Sequence, residues 1–169
     1  HANSQLFGWV GFFVMGFALQ QHAPSVAKAA LFHRLAFASL GLMGLGIALR
    51  FAAEPLSASG VAVGLPLGVV ACSLQLGAVL LFLFNNFFTR YRPTPRQPLP
   101  WQSAFVFASL FWLLAVAIAE PFAYLGTHQA DKMASIQFVA EWFAPLREAQ
   151  FLGFVAMMIF GVSLTKFHS

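Results

Sequence analysis

The chain has 169 residues, of which 60% are hydrophobic and only 8% are charged. Soluble domains carry about 25% charged residues, so this composition excludes a fully water-facing surface and predicts an integral membrane protein embedded in a lipid bilayer. The net charge of +4 does not indicate a nucleic-acid partner, because the basic residues fall in short connections between apolar stretches.

Five apolar stretches are long enough to cross the hydrocarbon core of a membrane, which takes about 20 helical residues. The spans must be helical, since lipid cannot satisfy exposed backbone groups. The sequence therefore predicts an all-α membrane bundle that forms a single domain. In chain order the predicted spans cover 4–20, 35–53, 60–84, 103–124 and 148–165.

Two connections between the spans differ in character. The stretch 90–102 contains four prolines, which predicts an extended inner loop without helix. The stretch 127–147 carries apolar residues at helical spacing, which predicts an outer amphipathic helix. Such a helix either lies on the membrane surface or packs over the bundle.

The charges predict an orientation. Six of the nine Lys and Arg residues fall on one side of the predicted spans, and all five acids fall on the other. Lys and Arg accumulate on the cytoplasmic side of membrane proteins. We therefore expect a periplasmic N-terminus and a cytoplasmic C-terminus in a bacterial inner membrane.

The first and last spans are similar to each other. Residues 5–19 align without a gap to residues 150–164, and Gln5 matches Gln150. Both spans run in the same direction, as in duplicated membrane folds, although chance similarity between apolar stretches is the alternative. Small residues let helices approach closely. The glycines predicted to lie at helix contacts are Gly8, Gly16, Gly153 and Gly161.

Few polar residues lie deep in the predicted spans. Glu120 precedes Pro121 near the outer end of the fourth span, where it is either a functional buried acid or an acid that reaches the interface. Arg50 is its predicted partner. Gln75 is the most central polar residue. The serine hydroxyls at depth are expected to bond back to their own helices, and these serines are Ser39, Ser73 and Ser109.

The histidines are the candidate ligands for a cofactor, because neutral imidazole binds haem iron and copper. No CxxCH motif is present, which excludes covalent c-type haem. Two histidines are predicted on the outer side, and two on the inner side, one at the end of the first span and one just before the second. Histidines at span ends are also common as simple interfacial residues. The candidates are His1, His128, His22 and His33.

The stretches HANSQLFGW (1–9) and REAQFLGFVAMMIFGV (147–162) resemble the NnrS family of polytopic membrane proteins. That family is described as containing haem and copper and is linked to nitric oxide and denitrification. Its His-Ala-x-x-Gln-x-Phe-Gly motif is matched here by His1, Ala2, Gln5, Phe7 and Gly8.

The resemblance implies that His1 is the first ligand of haem b or copper. Gln5 follows one helical turn later and is predicted to hydrogen-bond the ligand or a neighbouring group. The expected function is electron transfer or the handling of nitric oxide or another small gas. The alternative is a cofactor-free accessory or structural subunit of a respiratory or photosynthetic complex, with other membrane subunits as partners.

Overall fold

The structure is a computed structural model that describes residues 4–21, 28–89, 101, 103–128 and 131–167. Within these ranges every regular element is helical, and four helices are long and apolar enough to cross a membrane. The predicted all-α membrane fold is therefore confirmed. In chain order the elements are a first π segment (Ser4–Gly11), α1 (Phe12–Gln21), α2 (Ala29–Ala58), α3 (Gly64–Thr89), α4 (Ser103–Thr127), α5 (Lys132–Glu148), a second π segment (Ala149–Ala156) and α6 (Met157–Phe167).

The chain divides into two compact units, His1–Arg96 and Gln97–Ser169. The first contains the first π segment with α1, α2 and α3, and the second contains α4, α5, the second π segment and α6. The single domain expected from the sequence stays a prediction.

In the first unit, α2 and α3 form an antiparallel hairpin. α2 ends in a Schellman-type turn, in which Val61 N–H donates to Leu56 O and Gly60 N–H donates to Ser57 O. Gly60 has a φ of 75°, a left-handed conformation that glycine adopts without strain and that commonly ends helices. The turn is short, so the two helices lie side by side and run in opposite directions.

The hairpin packs closely at its centre. A Cβ atom added to Gly46 of α2 would lie 2.8 Å from Gln75 Cγ and 3.0 Å from the Ala71 carbonyl oxygen on α3. Because no side chain fits in that space, the backbone of α2 lies directly against α3, as small residues allow in membrane helices.

In the second unit, α5, the second π segment and α6 form one continuous helix. The backbone stays helical at Ala149 (φ −59°, ψ −39°) and at Met157 (φ −61°, ψ −37°). The helix begins at a capping residue, Asp131, whose side chain accepts from Met133 N–H at 2.9 Å. The outer helix and the last span, which the sequence predicts as separate elements, are therefore joined without a loop.

This continuous helix is longer than a bilayer requires. Its membrane-spanning candidate covers Lys132–Leu164, which is 33 residues, or about 50 Å at the helical rise of 1.5 Å per residue. A hydrocarbon core is about 30 Å thick, so part of the helix extends beyond it. No residue of α5 is buried, so α5 is the part of this helix with the least cover from the rest of its unit.

Candidate polar site at the second π segment

The two π segments occupy the same place in the internal repeat. The alignment of Gln5 with Gln150 maps Ser4–Gly11 onto Ala149–Ala156 residue for residue. π-Helical turns are rare and often occur at functional sites. Chance similarity between two apolar stretches would not be expected to place two such rare turns at the same aligned positions. The coincidence therefore supports the predicted repeat.

Gln150, the second residue of the second π segment, lies at the centre of a buried polar cluster. Its Nε2 donates to Oε1 of Glu120 on α4 at 2.7 Å, and its Oε1 accepts from Nη1 of Arg147 at 2.6 Å. Only 3% of Glu120 and 2% of Gln150 are exposed. The amide thus joins a buried acid on one helix to a base on the next.

The charges in this cluster offset one another. An unpaired charge in an apolar interior is costly, but Arg147 Nη1 lies 3.9 Å from Glu120 Oε1. The Arg147 side chain is more open than its partners, and its guanidinium also lies over the Phe143 ring at 4.7 Å, a cation–π contact. The cluster can therefore hold α4 against the second π segment without a bare buried charge.

A second hydrogen bond fastens the same two elements. Ser109 on α4 donates its hydroxyl to the backbone oxygen of Phe154 in the second π segment at 2.9 Å. The expectation that deep serines bond to their own helix is confirmed for Ser39 and Ser73, which donate to Ala36 O and Val69 O. It is wrong for Ser109, because a carbonyl of the adjacent helix lies within reach of its hydroxyl.

The predicted contact glycines differ between the two copies. A Cβ atom added to Gly153 would lie 2.5 Å from Trp112 Cγ, and one added to Gly161 would lie 2.7 Å from Val106 Cγ2. Both therefore lie at close helix contacts.

In the first copy the glycines have more room. A Cβ atom on Gly8 would make an ordinary 3.9 Å contact with Ile47, and one on Gly16 would meet no atom within 4 Å. On α2, a Cβ atom added to Gly44 would lie 3.4 Å from Phe12 Cζ, which is an ordinary van der Waals distance. No tight contact is therefore found at Gly8 or Gly16 among the described residues.

The structure gives the most detail for one residue singled out in the sequence, the acid Glu120. Glu120 is buried rather than exposed at an interface, and its hydrogen-bond donor is Gln150. Arg50, the partner expected from the sequence, donates from Nε to Glu54 Oε1 at 2.9 Å and from Nη1 to Cys72 Sγ at 2.6 Å. Arg50 and Glu120 thus each have a partner within their own unit. A pairing of Arg50 with Glu120 stays a prediction.

The candidate histidines fall in different settings. His1 and His22 lie outside the described residues, and the side chain of Gln5 is likewise not described. His33 lies within α2 rather than before it, because α2 begins at Ala29, and its side chain is exposed with its ring edge-on to Phe32.

His128 is the most constrained of the candidate ligands. It follows the last residue of α4 and is half-buried. Its Nδ1 lies 2.9 Å from the Tyr124 carbonyl oxygen and 3.0 Å from Thr127 Oγ1, and its ring centroid lies 4.3 Å from that of Tyr124. These contacts fix the orientation of the imidazole on the last turn of the helix.

The structure does not bring the candidate ligands together. Across the described ranges, no group of three or more His, Cys, Asp and Glu side chains is placed to hold a metal ion. No protein-family model, curated protein or solved structure matches this chain. Membership of the NnrS family, with the haem and copper that it implies, therefore stays a prediction.

Proposed function

We propose that the protein is a membrane-embedded haem-binding protein, with copper as the alternative metal, that transfers electrons or handles nitric oxide or another small gas. In this proposal His128 of the second unit and His1 of the first unit are each a candidate ligand, and both are expected on the periplasmic side of a bacterial inner membrane. His22 and His33 are interfacial residues of the opposite side.

The observation that carries the proposal is the hydrogen bond of His128. A backbone carbonyl can only accept, so the contact of Nδ1 with Tyr124 O places the ring proton on Nδ1. The other nitrogen, Nε2, then keeps its lone pair. Histidines that bind metals commonly donate their other N–H to a carbonyl or carboxylate, which fixes the tautomer and the direction of the ligand.

The neighbouring side chain supports the same tautomer. Thr127 Oγ1 donates to the Tyr124 carbonyl at 2.9 Å, so its lone pairs remain available to accept from His128 Nδ1. The tilted contact with the Tyr124 ring restricts rotation of the imidazole further. Haem iron bound at Nε2 would supply one-electron redox chemistry and a position for a small gas.

His1 enters the proposal through the resemblance to the NnrS family and not through geometry. It precedes the first π segment by three residues in the sequence, and π turns often mark functional sites. In the second copy the aligned position is Leu146. The proposed ligand is therefore specific to the first copy, whereas the second copy carries the Gln150 cluster.

Absorption spectroscopy tests the proposal. The full chain, expressed with an adequate haem supply, is purified in mild detergent and its spectrum is recorded oxidised and dithionite-reduced, with copper measured by elemental analysis. We expect a Soret band and a sharp α band on reduction. His128→Ala and His1→Ala should remove or shift these bands, while His33→Ala and His22→Ala should leave them unchanged.

The variants must first be shown to be folded, by circular dichroism and by a single peak in size-exclusion chromatography. A featureless visible spectrum together with the absence of bound copper would overturn the proposal. Loss of the bands in His33→Ala and His22→Ala, with His128→Ala and His1→Ala unaffected, would place the site on the inner side instead.

A cofactor-free membrane subunit is the second candidate, and the exposed face of α5 favours it. Met133, Ile136 and Trp142 expose 73%, 64% and 62% of their surfaces, although apolar residues beyond a bilayer normally need cover. Another subunit of a respiratory or photosynthetic complex would supply that cover. Native gel electrophoresis of detergent-solubilised membranes tests this, since Ile136→Asn should dissolve a larger assembly that Gln137→Asn preserves.

A further inference from the structure

The first unit contains a buried amide without a hydrogen-bond partner. Gln75 lies near the middle of α3 with 1% of its surface exposed. Within the part of the chain that the structure describes, neither its Nε2 nor its Oε1 has a hydrogen-bond partner. A glutamine amide can donate two hydrogen bonds and accept two, so its whole polar capacity is unused.

The surroundings of Gln75 are small and closely packed. Ala71 and Ala78 on the same face of α3 are completely buried, and Gly46 of α2 lies against the side-chain stem, with only 2.8 Å between Gln75 Cγ and the position of an added Cβ. The stem is therefore held between two helices, so the amide cannot swing out to the surface without separating them.

Other buried polar side chains of α2 and α3 have their own contacts. Cys72, one turn away on α3, accepts from Arg50. Ser39 of α2 donates to the backbone of its own helix. Asn85, further along α3, donates to the Phe32 carbonyl at 3.1 Å. These three buried side chains of the hairpin are thus engaged, whereas no hydrogen-bond partner of the Gln75 amide is found among the described residues.

We propose that Gln75 binds an ordered water molecule inside the first unit. Buried polar groups that lack a protein partner are costly, and in folded proteins ordered water commonly supplies the missing hydrogen bonds. Water can accept from Nε2 and donate to Oε1 at the same time, and it needs less room than any other ligand that does so. The bound water then makes the centre of the α2–α3 hairpin a hydrated point within the membrane.

The chain offers a matched control in Gln150. It has the same side chain and is also almost completely buried, with 2% exposed. Its Nε2 donates to Glu120 and its Oε1 accepts from Arg147, so both ends of the amide are engaged by protein. A method that detects water at buried amides should therefore distinguish the two glutamines.

The test is magnetisation transfer between water and side-chain amides in the full chain, labelled with ¹⁵N-glutamine and held in nanodiscs. Resonances are assigned with Gln75→Met and Gln150→Met, which keep side-chain volume roughly constant. We expect a water cross-peak at the Gln75 NH₂ protons and none at Gln150. Absence of the Gln75 cross-peak, or a cross-peak of equal strength at Gln150, would overturn the assignment.

If Gln75→Met fails to fold, a cryo-EM or crystallographic map fine enough to show ordered water gives the same answer. A density peak within hydrogen-bond distance of both Gln75 amide atoms supports the site. An amide bonded directly to protein, or a map without such a peak, contradicts it. This inference does not depend on haem, so a featureless visible spectrum leaves it standing.

Discussion

Gln150 donates to Glu120 across 2.7 Å within the second unit, and Gln137 donates to Glu141 across 2.9 Å on the exposed surface of α5. Both hydrogen bonds run from a glutamine Nε2 to a glutamate Oε1, but one is buried and the other is exposed. They therefore provide a direct comparison of what burial adds to a glutamine–glutamate contact.

Gln150→Leu should destabilise the protein by about 2 kcal/mol, because it leaves a buried carboxylate and a guanidinium without the amide that joins them. Gln137→Leu removes the matching bond at the surface and should change the stability by no more than about 0.5 kcal/mol. Thermal unfolding of both variants in the same detergent measures the difference. Equal effects would show that the buried cluster contributes no more than a surface contact.

Ser109→Ala should cost about 1 kcal/mol, the usual contribution of a neutral hydrogen bond, because the Phe154 carbonyl loses its donor from α4. Ser73→Ala is the matched control, since the exposed Ser73 hydroxyl donates to its own helix. We expect its effect to be about zero, as replacing serine by alanine favours helix formation slightly. A stability loss in Ser73→Ala as large as in Ser109→Ala contradicts the proposed link between helices.

Gly153→Ala should destabilise the protein by about 1–3 kcal/mol through overpacking against the Trp112 ring. Gly16→Ala has room for its methyl group and should be neutral or stabilising by about 0.5–1 kcal/mol, through helix propensity. Thermal unfolding without denaturant, followed by circular dichroism, ranks the stabilities of the two variants. The reverse ranking would show that the tight glycine contact belongs to the first copy.

Single cysteines introduced at Thr94 and Gln129 should be labelled from opposite faces of the membrane, because the charges place these two loops on different sides. Both positions lie outside the described residues, so this prediction rests on the sequence. The native Cys72 is 1% exposed and should contribute little background. Labelling of both cysteines by an impermeant maleimide added to one side would reject the five-span topology.

The helices themselves could be predicted because hydropathy and length carry that information directly. The predicted spans 60–84 and 103–124 overlap α3 and α4 almost entirely. The boundary between α5 and the last span could not be predicted, since Pro145 suggests a break. In the structure the backbone remains helical through that proline, whose missing N–H weakens a helix without always ending it.

The sequence indicates the members of the polar cluster but not the contact between them. Glu120 stands out as a lone acid in an apolar stretch, and Gln150 stands out as the start of a repeat, but nothing in a linear pattern joins residues 30 positions apart. The acceptor of the Ser109 hydroxyl could not be predicted for the same reason, because it depends on how two helices pack together. The π segments leave no mark on hydropathy, although the aligned glutamines indicate where to look.

The continuity of α5 with the second π segment and α6 has a mechanical consequence. A helix resists bending more than a loop does, and Lys132 is joined to Gln150 by continuous helix over 18 residues, about 27 Å at the helical rise. Gln150 in turn is tied to Glu120 on α4. We therefore expect a displacement of α5 to act on the hydrogen bond between Gln150 and the buried Glu120.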